Sequence, residues 1–244
     1  MIDLALEERL DDLDPLRHFR EDAGSDEDSA GTIVPVQPPS VRNQTIELAF
    51  AAAPDTGSVA IRLAVDASPG CGGIAWPAGE VLAGYITRSG NLEGKNVLEL
   101  GSGTGLVGLV AGKLGARVCI TDQAPLLGIM KQNVSLNQLE SCVSVAELNW
   151  GEPLPLDLPR PDLILAADCV YFEPAFPLLV RTLADLVHDP STQILFCYKK
   201  RRKADKRFFT LLKKEFTWED ISDDPQREVY SRDAISLLRL IRRR

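Results

Sequence analysis

The chain has 244 residues, 45% of them hydrophobic and 25% charged, which is ordinary for a globular protein and enough for one large α/β domain. Its net charge of -8 sits at one end: residues 1–30 hold eleven acids and three bases, and the remaining 24 acids and 24 bases cancel. A body without charge bias argues against a nucleic-acid module, no apolar run is long enough for a membrane span, and the acidic start MIDLALEERLDD is unlike a signal peptide. The expected location is therefore the cytoplasm, with a nuclear pool as the alternative. Five widely spaced cysteines, Cys71, Cys119, Cys142, Cys169 and Cys197, form no CxxC pair, so they read as reduced thiols and no metal site is expected.

Residues 1–40 are acidic and then Pro-rich (DAGSDEDSAGTIVPVQPPS), and are expected to lie outside the fold as a largely disordered segment, with a short amphipathic possibility around LDDLDPLRHF. Residues 41–244 are expected to form one domain. TIELAFA and VAIRLAV alternate like strands around the turn signal PDTG, which predicts a β-hairpin over about 42–66. WPAGEVLAGYITRS has helical apolar spacing at Val81, Leu82, Tyr85 and Ile86. Strands NVLEL, RVCITD, VSVAELNW, DLILAAD and QILFCYK then alternate with helices GLVGLVAGKLG, PLLGIMKQNVSLN, PAFPLLVRTLADLV and ADKRFFTLLKKEF. Continuous apolar strands alternating with helices predict a parallel sheet covered on both faces. TWEDIS and AISLLRLIRR read as a closing strand pair with no helix between them, so one late strand must run antiparallel. The fold class is α/β: a seven-stranded Rossmann-like sheet with a reversed terminal strand, plus the N-terminal hairpin.

The chemistry is concentrated in NVLELGSGTGLVGL. Gly101, Gly103 and Gly105 follow the first sheet strand and open a helix, where glycine permits close backbone approach to a ligand and the helix offers unpaired amides. The spacing is GxGxG, not the GxGxxG of dinucleotide binding. Asp122 ends the second sheet strand, where an acid can accept ribose hydroxyls; a cap on the following helix is the alternative. Glu99 stands two residues before Gly101, an awkward neighbour for a pyrophosphate and a suitable one for a cationic cofactor, or for the loop's own amides.

ExGxGxG, the acid after the second strand and the reversed seventh strand together resemble the class I methyltransferases, whose cofactor is S-adenosylmethionine, with S-adenosylhomocysteine as product. GIAWPAGEVLAGYI, VLELGSGTGLVGLVAGKLGARVCITD, LNWG and DLILAADCVY resemble, within that class, the family 16 protein-lysine methyltransferases, the methyltransferase-like 21 relatives. The likeness covers about residues 42 to 240. The acidic tail, PVQPP and YKKRRKADKRFF look most like the fungal elongation factor methyltransferase 6 type, which implies a lysine of translation elongation factor 1-alpha as substrate. A methyltransferase acting on another protein, a small molecule or nucleic acid, and a non-catalytic cofactor-binding module, are the alternatives.

Carried over residue by residue, the resemblance implies that Trp76 lines the cofactor site and that Gly101, Ser102 and Gly103 pass along the methionine part. It implies that Asp122 holds the ribose, Trp150 lies against the adenine and Ala167 closes the floor. Core packing is the alternative for both tryptophans. Asp168 and Tyr171 match the family's DxxY motif after the fourth sheet strand, at the carboxyl end where ligands of open α/β sheets bind. Lysine reaches the enzyme charged, so it must be oriented and lose a proton. Asp168 is expected to align the ammonium and Tyr171 to form a wall or accept a hydrogen bond; a turn cap is the alternative for Asp168. No metal is required. A monomer without direct nucleic-acid contact is expected. The basic run KKRRKADKR at 199–207 reads as a docking loop, a nuclear-import signal or a solvated helix start.

Overall fold

The computed structural model describes residues 43–52, 57–67, 71–90, 92–156, 158–202 and 205–243. The acidic segment, its amphipathic stretch and its linker lie outside the described residues. Among these residues no helix is long and apolar enough to cross a membrane.

The elements in chain order are β1 (Gln44–Ala51), β2 (Ser58–Val65), α1 (Pro77–Ser89), β3 (Asn96–Leu100), α2 (Leu106–Lys113), β4 (Arg117–Asp122), α3 (Leu127–Leu136), β5 (Val143–Glu147) and β6 (Leu163–Ala167). They continue with α4 (Phe176–Leu186), β7 (Gln193–Lys199), α5 (Asp205–Glu215), β8 (Phe216–Asp220), α6 (Arg227–Arg232) and β9 (Ile235–Arg242). Strands β3 to β9 form one sheet in the order β5-β4-β3-β6-β7-β9-β8. All its pairs are parallel except those of β9, which runs antiparallel to both β7 and β8. The seven-stranded α/β sheet with a reversed last strand and the separate two-stranded hairpin are thus as expected. One detail differs: the closing strands are joined through the six-residue helix α6. It buries only Tyr230, so it leaves no apolar periodicity to read in REVYSR. Strand β5 is also shorter than the sequence pattern, and Trp150 falls in the turn beyond it.

Side chains alternate across the sheet because strand residues point to opposite faces. Val97, Leu163, Leu165, Leu195 and Cys197 face α1, α2 and the hairpin. Leu98, Leu100, Ile164, Ile194 and Phe196 face α4 and α5, where Phe196 stacks on Phe208 at 5.4 Å between ring centroids. Cys119, Cys169 and Cys197 are buried and Cys142 is half-buried, all four as free thiols; the Cys71 side chain lies outside the described residues.

A two-stranded hairpin is marginal alone and leaves an unpaired edge. Two asparagines one turn apart on and just beyond α3 close that edge. Asn133 accepts from the Ala64 amide at 2.6 Å and donates to the Ala64 carbonyl at 3.1 Å. Asn137 does the same for Arg62, at 2.9 and 2.7 Å. Asn133 Nδ2 also donates to the Thr104 carbonyl at 2.9 Å, so the hairpin is tied directly to the glycine turn.

Candidate functional site

The chain runs from β3 outward through β4 to β5, then returns to place β6 on the other side of β3. Ligands of open α/β sheets bind at such a reversal, beyond the carboxyl ends of the strands. A cavity of about 670 Å³ lies there, within the range of small-molecule sites. Trp76, Glu99, Gly101, Ser102, Gly103, Asp122, Trp150, Ala167, Asp168 and Tyr171 all line it.

The glycine turn needs its glycines. Gly101 and Gly103 have φ of +58° and +55°, a region costly for other residues. A Cβ on Gly101 would stand 2.9 Å from the Trp150 ring, and one on Gly103 would stand 2.5 Å from the Gly72 carbonyl oxygen. The Ser102 amide donates to the Thr121 carbonyl at 3.0 Å, and Ser102 Oγ accepts from the Thr121 amide at 3.0 Å. Asp122 does not cap the helix that follows it. Its Oδ2 accepts from the Gly103 amide at 2.8 Å and its Oδ1 from the Gln123 amide at 2.7 Å. Burial raises its carboxyl above the usual range.

Glu99 is 2% exposed, and its Oε2 accepts from the Gly108 amide in the first turn of α2 at 2.9 Å. Burial pushes its carboxyl up to about 8, with the nearby Asp122 charge adding to the rise, against the opposing pull of the Gly108 amide and Ser102. In the unfolded chain it would ionise near 4.5. Between those values the folded state holds a proton that the unfolded state has lost, so this group makes stability fall as pH rises from 4.5 to about 8. A cation delivered beside Glu99 favours the ionised form. The cavity's buried carboxylate, its turn of left-handed glycines and its aromatic walls fit a ligand carrying positive charge and an aromatic base.

Asp168 turns the chain at the end of β6 with φ of +56°, and its amide donates to the Cys197 carbonyl at 2.8 Å. Its carboxylate is held by Arg201, with Nη1 to Oδ1 and Nη2 to Oδ2 both at 2.7 Å. Arg201 also lines the cavity, and its guanidinium stands 5.3 Å from the Trp76 ring centroid. Sequence reading missed it as a site residue. The signal was its position just beyond β7, at the carboxyl end of the sheet. The neighbouring Arg202 is buried and paired with Asp205, and Arg207 pairs with Glu173. Arg201 and Arg202 are therefore turned inward rather than offered as a solvated face, while Lys200 and Lys206 are exposed; Lys203 and Ala204 lie outside the described residues.

The family profile described as lysine methyltransferase matches residues 56–215. The chain belongs to that family. It is 44% identical over 203 residues to the protein-lysine N-methyltransferase EFM6 of Saccharomyces cerevisiae, covering 71% of this chain and 82% of the relative. It is 41% identical over 167 residues to the protein N-lysine methyltransferase METTL21A of Danio rerio, covering 66% and 76%. Among solved structures, the 16S rRNA N2 G1207 methyltransferase RsmC of T. thermophilus, in complex with AdoMet and guanosine, matches with a TM-score of 0.53 at 18% identity. That match covers 81% of this chain and 51% of the longer RsmC chain, and it shows the fold alone. The protein is an S-adenosylmethionine-dependent protein-lysine methyltransferase, and its substrate is a protein.

Proposed function

We propose that this lysine methyltransferase modifies translation elongation factor 1-alpha, works in the cytoplasm as a monomer, and makes no direct contact with nucleic acid. The observation that carries the substrate is the 44% identity to the yeast EFM6 protein over most of both chains. Purified enzyme incubated with elongation factor 1-alpha and S-adenosylmethionine should yield one methylated lysine site by tandem mass spectrometry. Methylation of some other protein by the same enzyme would move the substrate elsewhere and leave the activity intact.

S-adenosylmethionine supplies an electrophilic methyl group on a sulfonium centre. The residues that would hold it are those of the cavity. The glycine turn brings backbone groups close, Asp122 offers a carboxylate to ribose hydroxyls, and the Trp150 face suits an adenine. Trp76 and Ala167 bound the remaining space, and Glu99 stands ready for a cationic group. On the substrate side, Asp168 and Tyr171 direct the amine. Neither histidine takes part in this reading: His188 is exposed beyond α4, and His18 lies outside the described residues.

Glu99 gives this reading a proton signature. At pH 7 a carboxyl ionising near 8 is mostly protonated, and an ammonium placed beside it would release that proton. Binding of S-adenosylhomocysteine should therefore release close to one proton, seen as a binding enthalpy that varies with the ionisation enthalpy of the buffer. Glu99→Gln should remove the variation. A wild-type enthalpy that is the same in every buffer would contradict the role of Glu99.

A further inference from the structure

The charge of Asp168 is already answered before any substrate arrives. Arg201 binds it through two parallel hydrogen bonds, and the two side chains are 8% and 4% exposed. The pair is fixed from several sides. The Arg201 amide donates to Asp205 Oδ2 at 3.0 Å, the guanidinium lies over Trp76, and Asp168 Oδ1 also accepts from the Lys199 amide at 3.2 Å. Opening a buried, bidentate pair is costly, so the paired form is the one that meets the substrate.

This matters for a lysine substrate. The amine ionises near 10.4 in water and must be neutral to act as a nucleophile. A lone buried carboxylate would hold it in the charged form. The carboxylate–guanidinium pair carries no net charge, yet the one lone pair left over, on Asp168 Oδ2, can accept a hydrogen bond from a neutral amine. We propose that Arg201 is a positioning residue of the transfer site, fixing Asp168 and cancelling its charge so that the substrate lysine is received as a neutral amine. The inference rests on the lysine methyltransferase reading.

The other ionisable groups around the pair do not duplicate this effect. Burial pushes the Cys169 and Cys197 thiols well above their usual range. Asp205 is taken by Arg202 and Asp224 by Arg88. Tyr171, Asp122 and Glu152 line the same cavity and Lys199 lies two residues before Arg201, and all four are common to every variant compared. So is Glu99, which titrates near 8.

The test uses Arg201→Gln and the double variant Asp168→Asn/Arg201→Gln, with S-adenosylhomocysteine binding as the check on folding. First, n-butylamine hydrochloride is titrated by calorimetry at pH 7 into each S-adenosylhomocysteine complex. Arg201→Gln should bind the cation at least tenfold more tightly than wild type, and the double variant should not. Equal or weaker binding by the single variant overturns the proposal. Second, kcat is followed against pH with elongation factor 1-alpha as substrate. The rising limb should move up by about one pH unit or more in Arg201→Gln without a rise in KM, and return to the wild-type position in the double variant. A rate loss uniform across pH marks a purely structural role and overturns the proposal. Should the single variant not fold, a double variant whose limb or amine affinity departs from wild type overturns it equally. Should the wild type leave elongation factor 1-alpha unmethylated while the butylamine result holds, the substrate reading fails and the role of Arg201 stands.

Discussion

Gly103→Ala should leave a folded protein that binds S-adenosylhomocysteine about a hundredfold more weakly. Two costs combine. The residue sits at φ of +55°, where a side chain costs roughly 1–2 kcal/mol. The new Cβ would also stand 2.5 Å from the Gly72 carbonyl oxygen, which is backbone and cannot swing aside like a side chain. Relief requires the turn Cys71–Gly73 or the glycine turn itself to move, and both line the cavity. A combined loss near 3 kcal/mol corresponds to about a hundredfold in affinity. Gly128→Ala is the control. That glycine is exposed on α3 with nothing within 4 Å of a built Cβ, so its replacement should leave affinity unchanged. Calorimetric titration of both variants checks the difference.

Asp168→Ala should cost more in stability than any other single change at the site. It leaves the Arg201 guanidinium, 8% exposed, without its carboxylate. Removing one partner of a buried pair typically costs about 3–5 kcal/mol. For a domain of this size that lowers the melting temperature by roughly ten degrees. Methyl transfer should fall with it, since the amine loses its acceptor and Arg201 loses its anchor. Asp168→Ala/Arg201→Ala should be less destabilised than the two single losses added together, because the pair acts as a unit. Additive losses in a thermal melt would show that the two side chains are not coupled as the geometry indicates.

The fold was legible because its signals are local. NVLEL, DLILAAD and QILFCYK are short apolar runs flanked by turn residues, and the helices between them carry apolar spacing. The parallel character of the sheet followed from the alternation, and the reversed last strand from the closing pair; the order of the strands came only with the structure. Helix α6 escaped notice because six residues with one buried side chain make no period. The site was legible for the same reason: the glycine turn, Glu99 and Asp122 declare themselves by position along two adjacent strands. Arg201 did not, because its partner lies 33 residues earlier and a run of bases reads as a solvated face. The inward pairing of Arg201 and Arg202 depends on which carboxylates the fold brings beneath them, and a run of like charges does not reveal that. Asn133 and Asn137 were hidden likewise: their carboxamides face a strand edge some 70 residues away in sequence.

The central claim is that this chain places methyl groups on a lysine of a protein. It is tested most directly by incubating purified enzyme and tritiated S-adenosylmethionine with lysate from cells lacking the enzyme, then separating protein, RNA and small solutes. The account predicts label in one protein band, recovered as methyl-lysine on hydrolysis and strongly reduced with Gly103→Ala. Label in RNA or in small solutes, or none above the background without enzyme, would contradict it.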